Sequence, residues 1–136
     1  MAEPMTMQEA FARFGAVRRH VRRSWSAVSD DGGTVVLALW SDRFRWKDRP
    51  LTYDGSERPG LRDGAAQRVG NQERLEHLIY ARDRCGGQFR VVMVKAKNPD
   101  APTRAVYEVF PRDDWLMQIT ELDESTGEFQ AVRVEG

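Results

Sequence analysis

The residues of this 136-residue chain best suited to chemistry are arginines interleaved with aromatic side chains between positions 18 and 53. Between residues 13 and 49 there are nine Lys or Arg and four Asp or Glu, a net charge of +5, and this stretch holds three of the four tryptophans. Arginines neutralise phosphates, and aromatic faces stack on unpaired bases. The pattern therefore predicts nucleic-acid binding. The predicted binding residues are Arg18, Arg19, Arg22, Arg23, Arg43, Arg45, Trp46, Lys47, Arg49 and Tyr53.

The densest part of this segment is the run from Arg43 to Lys47, in which Phe44 and Trp46 alternate with basic residues. It follows an apolar stretch that predicts a buried strand, so a rigid element would present it to a ligand. An alternation of period two is also what a strand with one buried face produces. Trp25 and Trp40 are predicted to belong to the core of a hairpin. Both interpretations of the segment stay open at the level of sequence.

Motifs for catalysis are missing from the sequence. Neither a phosphate-binding glycine loop nor a G-x-S-x-G elbow occurs, and Lys95 and Lys97 lack the preceding acid that many metal-dependent nucleases carry. We expect no catalytic residue, no metal and no cofactor. The enzyme alternative has its best nominees in Cys85 and His77, which lie eight residues apart in a predicted helix.

Length and composition predict one domain spanning residues 1–136, with 40% hydrophobic and 31% charged residues. No apolar run approaches the roughly 20 residues of a membrane span, so no membrane partner is expected. A secretory signal pattern is not evident at the N-terminus. The single cysteine, Cys85, cannot form an internal disulfide. These features favour a cytoplasmic location.

The first half of the chain predicts a helix, a hairpin and a loop. Thr6 and Glu9 form a capping-box pattern ahead of an apolar stripe of helical spacing. Residues 24–29 and 34–40 predict two strands joined by a glycine turn, and the second strand is continuously apolar. Residues 41–70 are rich in Gly, Pro and Asp and predict a long loop with a short strand near 51–53.

The second half predicts one helix and then strands. Asn71 is the predicted N-cap of the helix, and the pair Gly86-Gly87 is its predicted stop. Proline at position 111 and turn residues divide the remainder into four strands. The predicted strands span residues 89–97, 105–110, 115–122 and 128–134.

The order of these elements predicts an α+β fold with about six strands in one strongly curved, mainly antiparallel sheet or small open barrel, covered by two helices. A curved sheet with basic, aromatic edges resembles in outline the small barrels of the PUA-like kind. That resemblance implies a non-catalytic accessory module that reads RNA, modified bases or single strands.

A protein-interaction module or a homodimer is the alternative function. Residues 1–90 carry 16 basic and 12 acidic residues (net +4), whereas residues 91–136 carry 5 and 9 (net −4). Oppositely charged regions permit electrostatic pairing between chains, and Trp, Tyr and Arg are common in interface hot spots. The sequence leaves open whether the partner is nucleic acid, another protein or a second copy.

Overall fold

The computed structural model describes residues 6–19, 24–55, 65–96, 106–125 and 127–134; for residues 65–71, 96, 106, 107 and 113 only the backbone is described. Two helices and seven strands form within these ranges. In chain order they are α1 (Met7–Ala12), β1 (Ser26–Val28), β2 (Val35–Trp40), a 3₁₀ turn (Ser41–Arg43), β3 (Phe44–Arg45), β4 (Thr52–Asp54), α2 (Ala65–Arg84), β5 (Gln88–Ala96), β6 (Val106–Leu122) and β7 (Phe129–Val134).

The strands form one mixed, mostly antiparallel sheet in the order β1-β2-β5-β6-β7-β4-β3. The exception is the parallel pair of β2 and β5, which the sequence analysis did not predict. Parallel neighbours need a long crossover, and α2 lies in the connection between these two strands. The predicted α+β class with two helices and a mainly antiparallel sheet is confirmed.

The two faces of the sheet are buried under different elements. Along β2, Val35, Leu37 and Leu39 belong to a core cluster that includes Leu78 of α2, whereas Val36 and Ala38 belong to a second cluster that includes Phe11 of α1. Alternate strand residues point to opposite faces, so a strand covered on both sides has to be continuously apolar. This explains the apolar run that the sequence shows there.

The sheet is curled but not closed, and β1 and β3 are its edges. In a flat sheet, β3 and β6 would lie about 14 Å apart, since β4 and β7 separate them at roughly 4.8 Å per step. The ring centroids of Phe44 on β3 and Trp115 on β6 are nevertheless 5.6 Å apart. Curling therefore brings a side chain of the edge strand β3 into contact with a side chain of β6.

Local signals for helix and turn ends are largely confirmed. The Thr6 side chain accepts a hydrogen bond from the N–H of Glu9 at 3.1 Å, and the Glu9 carboxylate accepts one from the N–H of Thr6. Gly86 and Gly87 have φ angles of +65° and +77°, which end α2 as predicted. The prediction of Asn71 as the N-cap was wrong, because α2 begins at Ala65 and continues through Gly70. An internal glycine costs a helix only about 1 kcal/mol, which the rest of the helix can offset.

Two predictions about strands were also wrong. The segment 41–70 is not one long loop, because the 3₁₀ turn, β3 and the start of α2 lie in it; residues 56–64 are outside the described residues. The short strand predicted near 51–53 is confirmed as β4. Pro111 does not end a strand, because β6 runs through it. Pro111 pairs with Val92 on β5, whereas β7 pairs with β6 only from Leu116 onward. A proline is tolerated where its missing N–H would face an unpaired edge.

Neither helix combines the length and the apolar character needed to cross a membrane, among the residues that the structure describes.

Candidate functional site

Within the segment between β2 and β4, two side chains hydrogen-bond to the backbone of the same segment. Trp46 donates a hydrogen bond from Nε1 to the carbonyl oxygen of Ser41 at 3.1 Å. Arg49 donates from Nη1 to the carbonyl oxygens of Trp46 and Asp48, at 3.0 and 2.9 Å. These bonds hold the Trp46 ring in one orientation without a ligand. Less conformational entropy is therefore lost when a partner binds to it.

Three aromatic rings, those of Phe44, Trp46 and Trp115, pack against one another here in tilted and edge-to-face arrangements. Phe44 and Trp115 are buried, with Trp115 only 3% exposed, whereas Trp46 is 50% exposed. The centroid of the Trp46 ring lies 5.6 Å from that of Phe44 and 6.0 Å from that of Trp115. The inner side of Trp46 is therefore supported by protein, and its remaining surface is available to a partner.

Two arginines from distant parts of the sequence complete this surface. The guanidinium carbon of Arg112 on β6 lies 4.3 Å from the centroid of the Trp115 ring, and that of Arg133 on β7 lies 5.3 Å from it. Arg90 on β5 donates a hydrogen bond to the carbonyl oxygen of Trp115 at 3.0 Å, which fixes the backbone there. We call Phe44, Trp46, Arg112, Trp115 and Arg133 together the Trp46 surface.

The sequence analysis missed Arg112, Trp115 and Arg133 because they lie in the acidic C-terminal part of the chain. The only available signal was the alternation on β6, which places Trp115 and Met117 on one face. Met117 pairs with Arg133 in the observed register, so Arg133 lies on that face as well. Without the register, no sequence feature relates Arg133 to Trp46.

The other predicted residues of the 43–49 run lie beside the Trp46 surface. Arg45, Lys47 and Arg49 are exposed. Arg45 faces away from the buried side of β3 and forms an ion pair with Asp54, with 3.5 Å between Nη2 and Oδ2. Arg43, at the end of the 3₁₀ turn, is partly buried.

Tyr53 lies in the core and not on the surface, since it is 1% exposed. Its ring stacks on Phe129 with centroids 5.4 Å apart and meets the edge of Phe44 at 4.9 Å. Burial raises the pKa of its hydroxyl, which the nearby charges of Arg74 and Arg43 partly offset. The role predicted for Tyr53, stacking on a base, does not fit this position, and Tyr53 supports Phe44 from below instead.

Arg18 and Arg19 lie elsewhere and are occupied by other parts of the protein. The guanidinium of Arg18 lies 5.6 Å from the ring centroid of Phe11, and its Nη1 donates to the carbonyl oxygen of Ser24 at 3.3 Å. Nε of Arg19 is 3.8 Å from a carboxylate oxygen of the buried Glu73. Arg22 and Arg23 lie outside the described residues.

Cys85 and His77, the nominees of the enzyme alternative, have separate partners. The thiol of Cys85 lies 3.7 Å from the carbonyl oxygen of Gly33, and burial raises its pKa, which disfavours the reactive thiolate. Nδ1 of His77 is at hydrogen-bonding distance, 2.6 Å, from Oγ of the fully buried Ser26. Eight helical residues correspond to about 12 Å along the axis, so the two side chains are not arranged as a nucleophile and its base.

An open cleft of about 790 Å³ lies at the β6–β7 turn, and neither Cys85 nor His77 lines it. Four of its nine lining residues are acidic, namely Glu121, Asp123, Glu124 and Glu128, and Arg82 also lines it. Arg82 donates to Glu124 at 2.7 Å. Within the described part of the chain, no three His, Cys, Asp or Glu side chains are grouped in a way that could hold a metal ion.

Comparison of the chain with family models, with curated proteins and with solved structures finds no match in any of the three.

Proposed function

We propose that the chain is a small, non-catalytic module that binds single-stranded nucleic acid through the Trp46 surface. The observation that carries the proposal is the half-exposed Trp46 ring, supported from inside by Phe44 and Trp115, together with the guanidinium groups of Arg112 and Arg133 over Trp115. An unpaired base would stack on Trp46, and the arginines would neutralise the neighbouring phosphates.

Supporting charge comes from the same region. Arg45, Lys47 and Arg49 are exposed within a few residues of Trp46, so a strand stacked on the ring would pass basic groups on both sides of it. Duplex DNA hides the faces of its bases, which favours unpaired over paired substrates. As part of the same proposal, we infer that the fold resembles the PUA-like small barrels in outline and that the protein is cytoplasmic.

The test is a fluorescence-polarisation titration of labelled oligo(dT), oligo(U) and a duplex of equal length at several salt concentrations. We expect single strands to bind more tightly than the duplex and the affinity to fall steeply with salt. Trp46→Ala should weaken binding by about 1–3 kcal/mol, the usual contribution of one base stacked on an aromatic ring. Its folding is checked by circular dichroism.

Arg133→Gln and Arg19→Gln form a matched pair for the same titration. Each removes one charge from an exposed arginine with a carboxylate 3.9 or 3.8 Å away, Asp114 and Glu73 respectively. Arg133→Gln should reduce the salt slope by about 0.7, the value for one phosphate contact on a single strand, and Arg19→Gln should leave the slope unchanged. Equal effects would mean that binding reflects overall charge and not this surface.

The protein-interaction alternative would use the same surface, because an exposed tryptophan beside arginines also suits an interface. If no oligonucleotide binds at low salt, the nucleic-acid proposal is wrong. Light scattering of the wild type and of Trp46→Ala then tests self-association. If a homodimer forms through this surface, the wild type has a mass above that of the monomer and Trp46→Ala has the monomer mass.

A further inference from the structure

Phe110 on β6 leaves much of its ring in solvent. Among the residues that the structure describes, the exposed large hydrophobic side chains are Val17, Trp46 and Phe110, which are 66%, 50% and 40% exposed. A single exposed apolar residue is ordinary on a protein surface, whereas apolar groups that share one patch indicate a binding site. The position of Phe110 relative to Trp46 therefore decides whether Phe110 has a role in binding.

The pairing of β6 with β5 determines the face of the sheet on which Phe110 lies. Residues directly opposite each other in an antiparallel pair have their side chains on the same face. Phe110 is opposite Met93, which belongs to the core cluster that contains Trp115. Val109, the preceding residue, is opposite Val94, and both belong to the cluster on the other face. Phe110 therefore lies on the face that carries the Trp46 surface.

Arg112 connects Phe110 with the Trp46 surface. It is opposite Val91 of the same core cluster, so it is the neighbour of Phe110 on this face, about 7 Å further along the strand. Its guanidinium carbon lies 4.3 Å from the centroid of the Trp115 ring, which is 6.0 Å from that of Trp46. Two exposed aromatic rings are thus linked through a guanidinium group and one buried ring.

The charges along this face favour a nucleic-acid strand as the occupant of the two rings. Bases present flat aromatic faces and are joined through phosphates, so a strand with bases on both rings carries negative charge between them. Arg112, next to Phe110, provides positive charge there. On the other side of Phe110, Glu108 lies opposite Lys95, and these two charges offset each other.

We propose that Phe110 is a second base-stacking residue. The chain then binds two bases of one unpaired strand, one on Trp46 and one on Phe110, with Arg112 on a phosphate between them. This inference rests on the function proposed above, and it adds the class of substrate, which is a strand of two or more nucleotides and not a single nucleotide.

The experiment compares the binding of oligo(dT) with that of a one-base strand, which has equal length but is abasic at all nucleotides except one. Both strands carry the same phosphates, so a difference between them comes from the bases. Phe110→Leu keeps an apolar side chain but removes the ring. It should weaken oligo(dT) binding by about tenfold, the usual contribution of one stacked base. It should leave the one-base strand unchanged, because the single base occupies the larger ring of Trp46.

Two further variants are the controls for this titration. Phe110→Tyr keeps an aromatic ring and should bind oligo(dT) as the wild type does. Val17→Ala removes apolar surface at a more exposed residue that belongs to no strand, and it should change the binding of neither probe. Circular dichroism checks the folding of each variant. Phe110→Met, which is also apolar and without a ring, takes the place of Phe110→Leu if that variant does not fold.

The inference is overturned if Phe110→Leu binds oligo(dT) as tightly as the wild type does, or if it weakens the binding of both strands equally. In either case a loss of affinity in Trp46→Ala still supports the proposed function. If the wild type binds no oligonucleotide at low salt, the inference and the proposed function are both wrong. If Trp46→Ala and Phe110→Leu then also abolish a dimer seen by light scattering, the two rings form an interface between copies of the chain instead.

Discussion

Two pairs of arginines in this protein differ both in their sequence surroundings and in their structural positions. Arg18 and Arg19 lie on the connection that leads to β1, and they contact Phe11, the carbonyl of Ser24 and the carboxylate of Glu73. Arg112 and Arg133 lie on β6 and β7, where they cover Trp115 next to the exposed ring of Trp46.

This difference teaches that the position of an arginine in the fold, and not its charge alone, indicates its role. Arg18 donates a hydrogen bond to the carbonyl oxygen of Ser24, and Nε of Arg19 lies 3.8 Å from a carboxylate oxygen of the buried Glu73, so both side chains contact groups inside the fold. Arg112 and Arg133 lie over the ring of Trp115, which packs against the half-exposed Trp46. We therefore expect the first group to contribute mainly to stability and the second to the proposed binding.

The largest expected effect distinguishes the two tryptophans of the Trp46 surface. Trp115→Ala should lower the free energy of unfolding by roughly 3–5 kcal/mol, because it removes a buried ring that contacts Phe44 and both arginines. Trp46→Ala should cost less than half as much, because half of its side chain is exposed. Urea denaturation measures both values; equal losses would contradict a binding role for Trp46 as distinct from a packing role.

A smaller effect separates the two arginine groups. Arg18→Ala should lower the free energy of unfolding by about 1–2 kcal/mol, through loss of one hydrogen bond and of the contact with Phe11, without changing oligonucleotide affinity. Arg112→Ala should weaken oligonucleotide binding. Denaturation and polarisation titrations on both variants check this, and the comparison fails if Arg18→Ala is the one that loses affinity.

The smallest expected effect is a pH dependence at His77, near Arg19. Burial lowers the pKa of His77, and the positive charge of Arg19 lowers it further. The negative charges of Glu73 and Glu76 partly offset this lowering. The ring also lies at hydrogen-bonding distance from the hydroxyl of Ser26. Below pH 6.5 the unfolded chain therefore binds a proton that the folded chain does not, so stability falls from pH 6.5 toward the folded-state pKa. Denaturation of wild type and His77→Gln between pH 5 and 8 measures this, and parallel curves would exclude it.

Much of the fold follows from local patterns in the sequence. The capping box at Thr6, the buried strand β2, the glycine stop of α2 and the final strand all appear because their signals lie within a few residues. The parallel pairing of β2 with β5 and the passage of β6 through Pro111 depend on which strands are neighbours, which local propensity does not encode.

The candidate site was predictable only in part, for the same reason. Trp46 and the basic residues beside it form one continuous run in the sequence, so composition indicates them. Tyr53 was included in the predicted site because its burial depends on the pairing of β4 with β7, and Arg133 was omitted because its position next to Trp115 depends on the curl of the sheet.

The measurement that tests the central claim most directly is an NMR titration of the four tryptophan indole N–H signals with oligo(dT). Trp46 donates its indole N–H to the carbonyl oxygen of Ser41 beside the proposed stacking surface, whereas Trp25 and Trp40 pack against each other on the opposite face of the sheet. We expect the Trp46 signal to shift most, Trp115 less, and Trp25 and Trp40 not at all. Shifts confined to Trp25 and Trp40, or no shift of Trp46 at saturating oligo(dT), would contradict the account.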